Sequence, residues 1–152
     1  MESKNITLVK GNIFDSKMQT IVNTVNCVGV MGKGLALLYK IRFPKMFERY
    51  KQICSEGLLD IGKLWLYKES DERWILNFPT KRHWRYPSEY SYIISGLEKF
   101  VNTYKENGIT SIAFPLLGCT NGKLDKEKVL KIMEEYLSKC DIPIEIYEEF
   151  SN

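Results

Sequence analysis

Four loops in this chain carry the residue types from which a nucleotide site is built. Asn23-Thr-Val-Asn26-Cys-Val-Gly29-Val30-Met31-Gly32-Lys33-Gly34 follows the apolar run Thr20-Ile-Val22. It reads as a buried strand that ends in two asparagines and opens into a glycine-punctuated loop before a helix. That order presents backbone N–H groups and a helix N-terminus to phosphate oxygens. The spacing is its own. A P-loop requires Gly-x-x-x-x-Gly-Lys-Ser/Thr, but Cys27 stands at the first glycine's place and Gly34 follows Lys33. A dinucleotide fingerprint requires Gly-x-Gly-x-x-Gly, and here the order is Gly-x-x-Gly-x-Gly. The other loops are Gly11-Asn12-Ile13-Phe14, Pro79-Thr80-Lys81-Arg82-His83-Trp84-Arg85 and Leu117-Gly118-Cys119-Thr120-Asn121-Gly122. The last is a second glycine cradle. The first carries an amide suited to a nucleobase edge, and the middle one a lysine among rings and cations. Together they describe a site for a nucleotide diphosphate with a reactive group at its far end.

The elements that must position these loops alternate between two periodicities. Residues 5–10, 20–25, 63–68, 73–78, 111–116 and 143–147 read as strands rich in branched and aromatic side chains. Residues 35–42, 44–55, 88–106 and 125–139 read as helices. Pro44 suits a first helical position, Ser88 and Asp125 suit N-caps, and Gly108 stands just past a helix end. In the helix at 125–139, Val129, Ile132, Met133, Tyr136 and Leu137 recur at helical spacing. Alternating strands and helices predict a three-layer α/β/α sandwich with a mixed central sheet, a single domain over residues 1–152. In such a fold ligands bind beyond the C-terminal strand ends, where all four loops fall.

Composition excludes several other classes. A chain of 152 residues buries roughly two-thirds of its unfolded surface as one domain. Its 44% apolar and 27% charged residues are ordinary for a globular protein, and a net charge of +3 does not by itself indicate nucleic acid. No apolar run approaches the ~18 residues of a membrane span, and no signal-peptide pattern opens the chain. The four cysteines, Cys27, Cys54, Cys119 and Cys140, form no Cys-x-x-Cys pair, which argues against a disulfide framework or structural zinc and for a reducing cytoplasm. The one histidine, His83, cannot support a multi-histidine metal site, and no Gly-x-Ser-x-Gly elbow is present. No metal or organic cofactor is expected.

Four segments, in order and at the four strand ends, carry a family resemblance: Gly11-Asn-Ile13, Val22 through Gly34, Asn77-Phe-Pro-Thr-Lys-Arg-His-Trp-Arg85 and Pro115-Leu-Leu-Gly-Cys119. The chain resembles the macrodomain family, in the branch of the DarG antitoxin macrodomains and the terminal ADP-ribose glycohydrolases. The resemblance runs from about Ile6 to the final strand. It implies an ADP-ribose cleft. By resemblance, Asn12 meets the adenine in place of an acidic residue, and Ile13 beside it is a further ADP-ribose-binding position. Gly29, Val30, Met31, Gly32, Lys33 and Gly34 grip the diphosphate and distal ribose with Leu117, Gly118, Cys119, Thr120, Asn121 and Gly122. Asn23 and Asn26 are the amides near the distal ribose, Pro79 and Thr80 are further ADP-ribose-binding positions, and Lys81 matches the lysine that removes ADP-ribose, with Asn23 as its catalytic companion.

A lysine suits that chemistry, because a neutral amine can attack the masked aldehyde of an ADP-ribosyl group and form a Schiff-base adduct that water resolves. It can instead polarise the linkage without a covalent bond. Either role needs a pKa below the usual ~10.4, and adjacent Arg82 and loop dipoles push that way. Arg82, His83, Trp84 and Arg85 interleave charge with rings, a combination that neutralises phosphates and stacks unpaired bases. The implied activity is removal of ADP-ribose from thymidine- or guanosine-type bases, with single-stranded DNA preferred, by a monomer whose partner is a cognate ADP-ribosyltransferase toxin. Two alternatives stand beside it. One is hydrolysis of ADP-ribose esters on protein Asp/Glu or of ADP-ribose-1″-phosphate, the other a non-catalytic ADP-ribose reader. The human-type members of the branch carry an aspartate in the loop where this chain has Thr120, Asn121 and Gly122, which weakens the ester reading.

Overall fold

The computed structural model describes residues 5–150. Six strands, β1 (Ile6–Gly11), β2 (Thr20–Val25), β3 (Trp65–Lys68), β4 (Trp74–Pro79), β5 (Ile112–Pro115) and β6 (Ile144–Phe150), form one sheet in the order β1-β6-β5-β2-β4-β3. Every pairing is parallel except β3 with β4, so the sheet is mixed as expected. Helices α1 (Gly34–Arg42) and α2 (Pro44–Ser55) cover one face, and α3 (Tyr90–Thr103) and α4 (Lys126–Leu137) the other. Alternate residues of each central strand feed the two cores. Ile21, Ile75 and Ala113 pack with Tyr39, Met46 and Tyr50; Val22, Leu76, Phe78 and Phe114 pack with Ile93, Leu97, Val129 and Met133. Burial on both faces explains the near-continuous apolar runs of β2, β4 and β5. Among the described residues no helix is long and apolar enough to cross a membrane.

Three local expectations meet the structure differently. Asp125 does cap α4, its carboxylate accepting from the Lys128 N–H at 3.0 Å. Ser88 does not cap α3. The helix starts at Tyr90 with Glu89 at the cap position, while Ser88 is drawn beneath the loop at Gly122, its N–H donating to the Gly122 carbonyl at 3.0 Å. Its buried hydroxyl has no partner among the described residues. Strand β6 runs three residues past the expected 147, to Phe150. The register shifts opposite Val9 and Lys10, where Val9 pairs with Tyr147 and Lys10 with Glu149. Glu148 is thus an extra, bulged residue, and the bulge breaks the alternation on which a sequence reading relies.

Candidate active site

The C-terminal ends of the five parallel strands open into one cleft of about 790 Å³, a size suited to a small-molecule or nucleotide ligand. Strand order arranges its floor. Gly11, Ile13, Tyr147 and Glu148 stand at the β1–β6 end, Pro115 and Leu116 follow β5, Thr24, Val25 and Asn26 follow β2, and Thr80 and Lys81 follow β4. One wall is Val30 with Gly32, Lys33, Gly34, Leu35 and Ala36; the opposite wall is Gly118, Cys119, Thr120, Asn121, Gly122 and Lys126.

Asn26 shapes the first wall. Its carbonyl oxygen accepts from the Val28 and Val30 N–H groups at 3.0 and 3.4 Å, and its amide donates to the Val30 carbonyl at 2.8 Å. Tyr50, fully buried in α2, donates from below to the Asn26 carbonyls at 2.7 and 2.9 Å. This bracing fixes the loop that brings Gly32 and Gly34 to the cleft. The two walls approach closely. A Cβ on Gly34, whose φ is +63°, would stand 3.0 Å from the Asn121 side-chain nitrogen. At Gly122 an added Cβ would collide with the Ser88 hydroxyl and the Gly118 carbonyl, so glycine is required there by packing.

Lys81 is held at the β4 end. The Thr80 N–H continues the β2–β4 ladder by donating to the Val25 carbonyl at 2.9 Å, and the Cys27 N–H and thiol donate to the Arg82 and Lys81 carbonyls at 3.2 and 3.4 Å. The Lys81 amine donates to the Trp84 carbonyl at 3.0 Å. Partial burial, then the charges of Lys33 and Lys123, lower its pKa below the usual lysine value. The cause differs from the expected one. Arg82 bonds Asp60 at 3.0 Å and lies 5.3 Å from the Tyr92 ring, so its charge is already offset. Lys33 and Lys123 come from the two glycine-rich walls, far from Lys81 in sequence. Burial raises the Cys27 and Cys119 thiols to about 11, so neither is an activated nucleophile.

Beside Lys81 lies an exposed platform. The His83 ring is 5.2 Å from Trp84 and 5.6 Å from Tyr86, the Arg85 guanidinium is 4.9 Å from the Trp84 ring, and the Arg85 N–H donates to His83 Nδ1 at 3.1 Å. Trp84, 44% exposed, also lines the cleft.

The cleft gathers Ile13, Asn26, Val30, Gly32, Lys33, Gly34, Thr80, Lys81, Trp84, Gly118, Cys119, Thr120, Asn121 and Gly122 from the sequence-derived set. Other members stand off its walls. The Asn12 carbonyl oxygen accepts from the Phe14 N–H at 2.9 Å and caps a short 3-10 turn at Ile13–Asp15. Asn23 is completely buried on the α1–α2 side of β2, donating to Asn77 Oδ1 at 3.1 Å and facing the Met31 sulfur at 3.8 Å. Its own Oδ1 has no partner among the described residues. Met31 and Leu117 belong to the two cores, Pro79 is buried in β4, and Gly29 packs against Lys51 and Cys54. Arg82, His83 and Arg85 lie outside the cleft on the platform side. Sequence reasoning missed Gly11, Thr24, Val25, Leu35, Ala36, Pro115, Leu116, Lys126, Tyr147 and Glu148 as cleft residues. Gly11, Thr24, Val25, Pro115 and Leu116 lie within the quoted segments without having been singled out and Leu35 and Ala36 adjoin one, but nothing local marks the last two.

The sequence profile of the Macro domain matches residues 22–133, most of the chain. This chain is a macrodomain. Its fold superposes on the macrodomain of Mycobacterium tuberculosis DarG with a TM-score of 0.91 at 41% identity, covering 95% of this chain and 97% of that one. It superposes on Thermosipho africanus DarTG in complex with ADP-ribose with a TM-score of 0.90 at 42% identity, covering 95% of this chain and 42% of that one. A protein of Thermus aquaticus named DNA ADP-ribosyl glycohydrolase is 38% identical over 97% of this macrodomain and 42% of its own length. The chain thus spans about two-fifths of the length of that curated relative.

Proposed function

We propose that this macrodomain is an ADP-ribosyl glycohydrolase that removes ADP-ribose from thymidine- or guanosine-type bases in DNA, with single strands preferred. The observation that carries this reading is Lys81. It is a cleft-lining amine at the opposite end from the β1–β6 pocket, with its pKa lowered by burial and by Lys33 and Lys123. Diphosphate binding alone gives no reason for an amine at this end of the cleft, held by the Trp84 carbonyl at 3.0 Å, and the downward direction of its pKa accords with catalysis rather than passive reading. The names of the relatives from Thermus aquaticus and Mycobacterium tuberculosis, DNA ADP-ribosyl glycohydrolase, support the same activity.

In this account the two glycine-rich walls hold the diphosphate, and the distal ribose lies towards Lys81. The neutral amine attacks the anomeric carbon, and the bond from that carbon to the base breaks as the base nitrogen takes up the proton that the amine gives up, relayed by water. Opening of the ribose ring gives an imine on Lys81; water adds to it, returning the amine and releasing ADP-ribose. Asn23, paired with Asn77 beneath the floor, is a positioning residue. A DNA ADP-ribosyltransferase is the reaction class that supplies the substrate, and a Thermosipho africanus relative is named as a fusion of both activities.

The test is release of free ADP-ribose from a single-stranded oligonucleotide bearing base-linked ADP-ribose. Its pH profile carries a signature. Activity should fall as Lys81 gains its proton, on an acid limb below the pH of an ordinary lysine. Lys123 acts on Lys81 without lining the cleft, and its φ of +65° suits asparagine. Lys123→Asn removes one repelling charge, raises the Lys81 pKa, and should shift that limb to higher pH. An unmoved limb would place the titration elsewhere.

The Trp84–Arg85 platform supports the nucleic-acid side of the reading. Arg85→Glu should weaken kcat/KM for the modified oligonucleotide by about tenfold, and leave binding of free ADP-ribose unchanged by calorimetry. Arg82→Glu should do less, because Asp60 already neutralises that charge. Equal losses for oligonucleotide and free ADP-ribose would remove the platform from DNA recognition.

A further inference from the structure

We infer that Glu148 is the residue that reads the adenine base, accepting a hydrogen bond from its exocyclic amine. This rests on the ADP-ribose reading of the cleft. Among the described residues that line the cleft, Glu148 is the single carboxylate, set against the lysines Lys33, Lys81 and Lys126. A carboxylate is an acceptor only, and it disfavours phosphate, so its ligand group must be a donor remote from the diphosphate. The strand order gives the remoteness. β6 lies three strands from β4, the strand that carries Lys81, which is about 14 Å at the usual strand spacing. With the reacting ribose at Lys81 and the diphosphate between the glycine-rich walls, the β1–β6 end receives the base. Ile13 and Tyr147 supply apolar surface for its ring there.

Two further observations point to Glu148. The β6 bulge makes it the one residue between Tyr147 and Glu149 with no cross-strand partner on β1, and bulges re-aim side chains beside binding sites. It also makes no hydrogen bond or ion pair among the described residues, so its carboxylate is uncommitted. Asn12, by contrast, already spends a carbonyl lone pair on the Phe14 N–H and stands off the cleft lining. Of the hydrogen-bonding groups on the adenine ring, the amine alone donates. The hypoxanthine ring replaces that amine with a carbonyl, which turns the attraction at that position into repulsion, and its donor lies instead at N1.

The test is calorimetric binding of ADP-ribose and its hypoxanthine analogue, inosine diphosphate ribose, to the full chain and to Glu148→Ala and Glu148→Gln, with thermal melting to verify folding. The parent should favour ADP-ribose by about 10- to 100-fold, the value of a charged hydrogen bond. Glu148→Ala should lose that preference, weakening ADP-ribose and relieving the repulsion on the analogue. Glu148→Gln, isosteric and able to donate as well as accept, should bind the two alike. An alanine variant that weakens both ligands equally would assign Glu148 to a ribose hydroxyl and overturn the inference, as would a preference that survives in both variants. A parent that binds both ligands equally overturns it while leaving the ADP-ribose reading intact. A parent that binds neither overturns that reading and this inference together.

Discussion

Replacing Lys81 by alanine should lower the release of ADP-ribose from a base-modified oligonucleotide by about 10³-fold, within the range for losing a positioned proton-transfer or nucleophilic group. Binding of free ADP-ribose should stay close to that of the parent, because the wall from Val30 to Ala36 is braced by Asn26 and Tyr50 and not by the Lys81 side chain. The loss belongs in kcat, the mark of an interaction made in the transition state rather than the ground state. Lys81→Arg is the sharper control. Arginine keeps the charge and can reach the Trp84 carbonyl, yet it does not become neutral at accessible pH. It should be as inactive as alanine. Activity retained in either variant, measured by single-turnover release, would remove Lys81 from the chemistry.

The second large effect is expected at Gly122. Human-type members of the branch place an aspartate in this loop, so Gly122→Asp asks whether an acid can be restored here. It should not be. The new Cβ collides with the Ser88 hydroxyl and with the Gly118 carbonyl, and backbone yields poorly in a packed wall. Relief by moving the loop should cost about 1–3 kcal/mol, which is about 5- to 150-fold in ADP-ribose affinity. Calorimetry and thermal melting together should show both losses, with no gain of activity on glutamate-linked ADP-ribose. A stable variant that binds ADP-ribose as the parent does would show that Ser88 does not fix this wall. In this structure, packing excludes an acid at position 122.

Why some of this was legible in sequence and some was not follows from particular residues. The strands were readable because Ile21, Val22, Ile75 and Leu76 are buried on both sheet faces, leaving unbroken apolar runs. The loops were readable because glycines cluster only where backbone must approach backbone or ligand. Ser88 misled because a serine before an apolar helical pattern looks like a cap; its burial under Gly122 is a contact across 34 positions that no local pattern records. Asn23 was not legible in its direction. It stands between Ile21 and Val25 on the α1–α2 face of β2, so its amide turns to Asn77 and Met31. The influence of Lys33 and Lys123 on Lys81 arises only when both glycine-rich walls fold around the cleft. Glu148 was hidden because a bulge destroys the period-two pattern that would have extended β6 through it.

The central claim is that this cleft releases ADP-ribose from a nucleic-acid base. The most direct measurement offers the full chain thymidine-linked and guanosine-linked ADP-ribose on single-stranded oligonucleotides, alongside glutamate-linked ADP-ribose on a peptide, and follows free ADP-ribose. At least one base-linked substrate should turn over, with kcat/KM well above that for the glutamate ester. Turnover of the ester alone, or tight ADP-ribose binding with no release from any substrate, would contradict it.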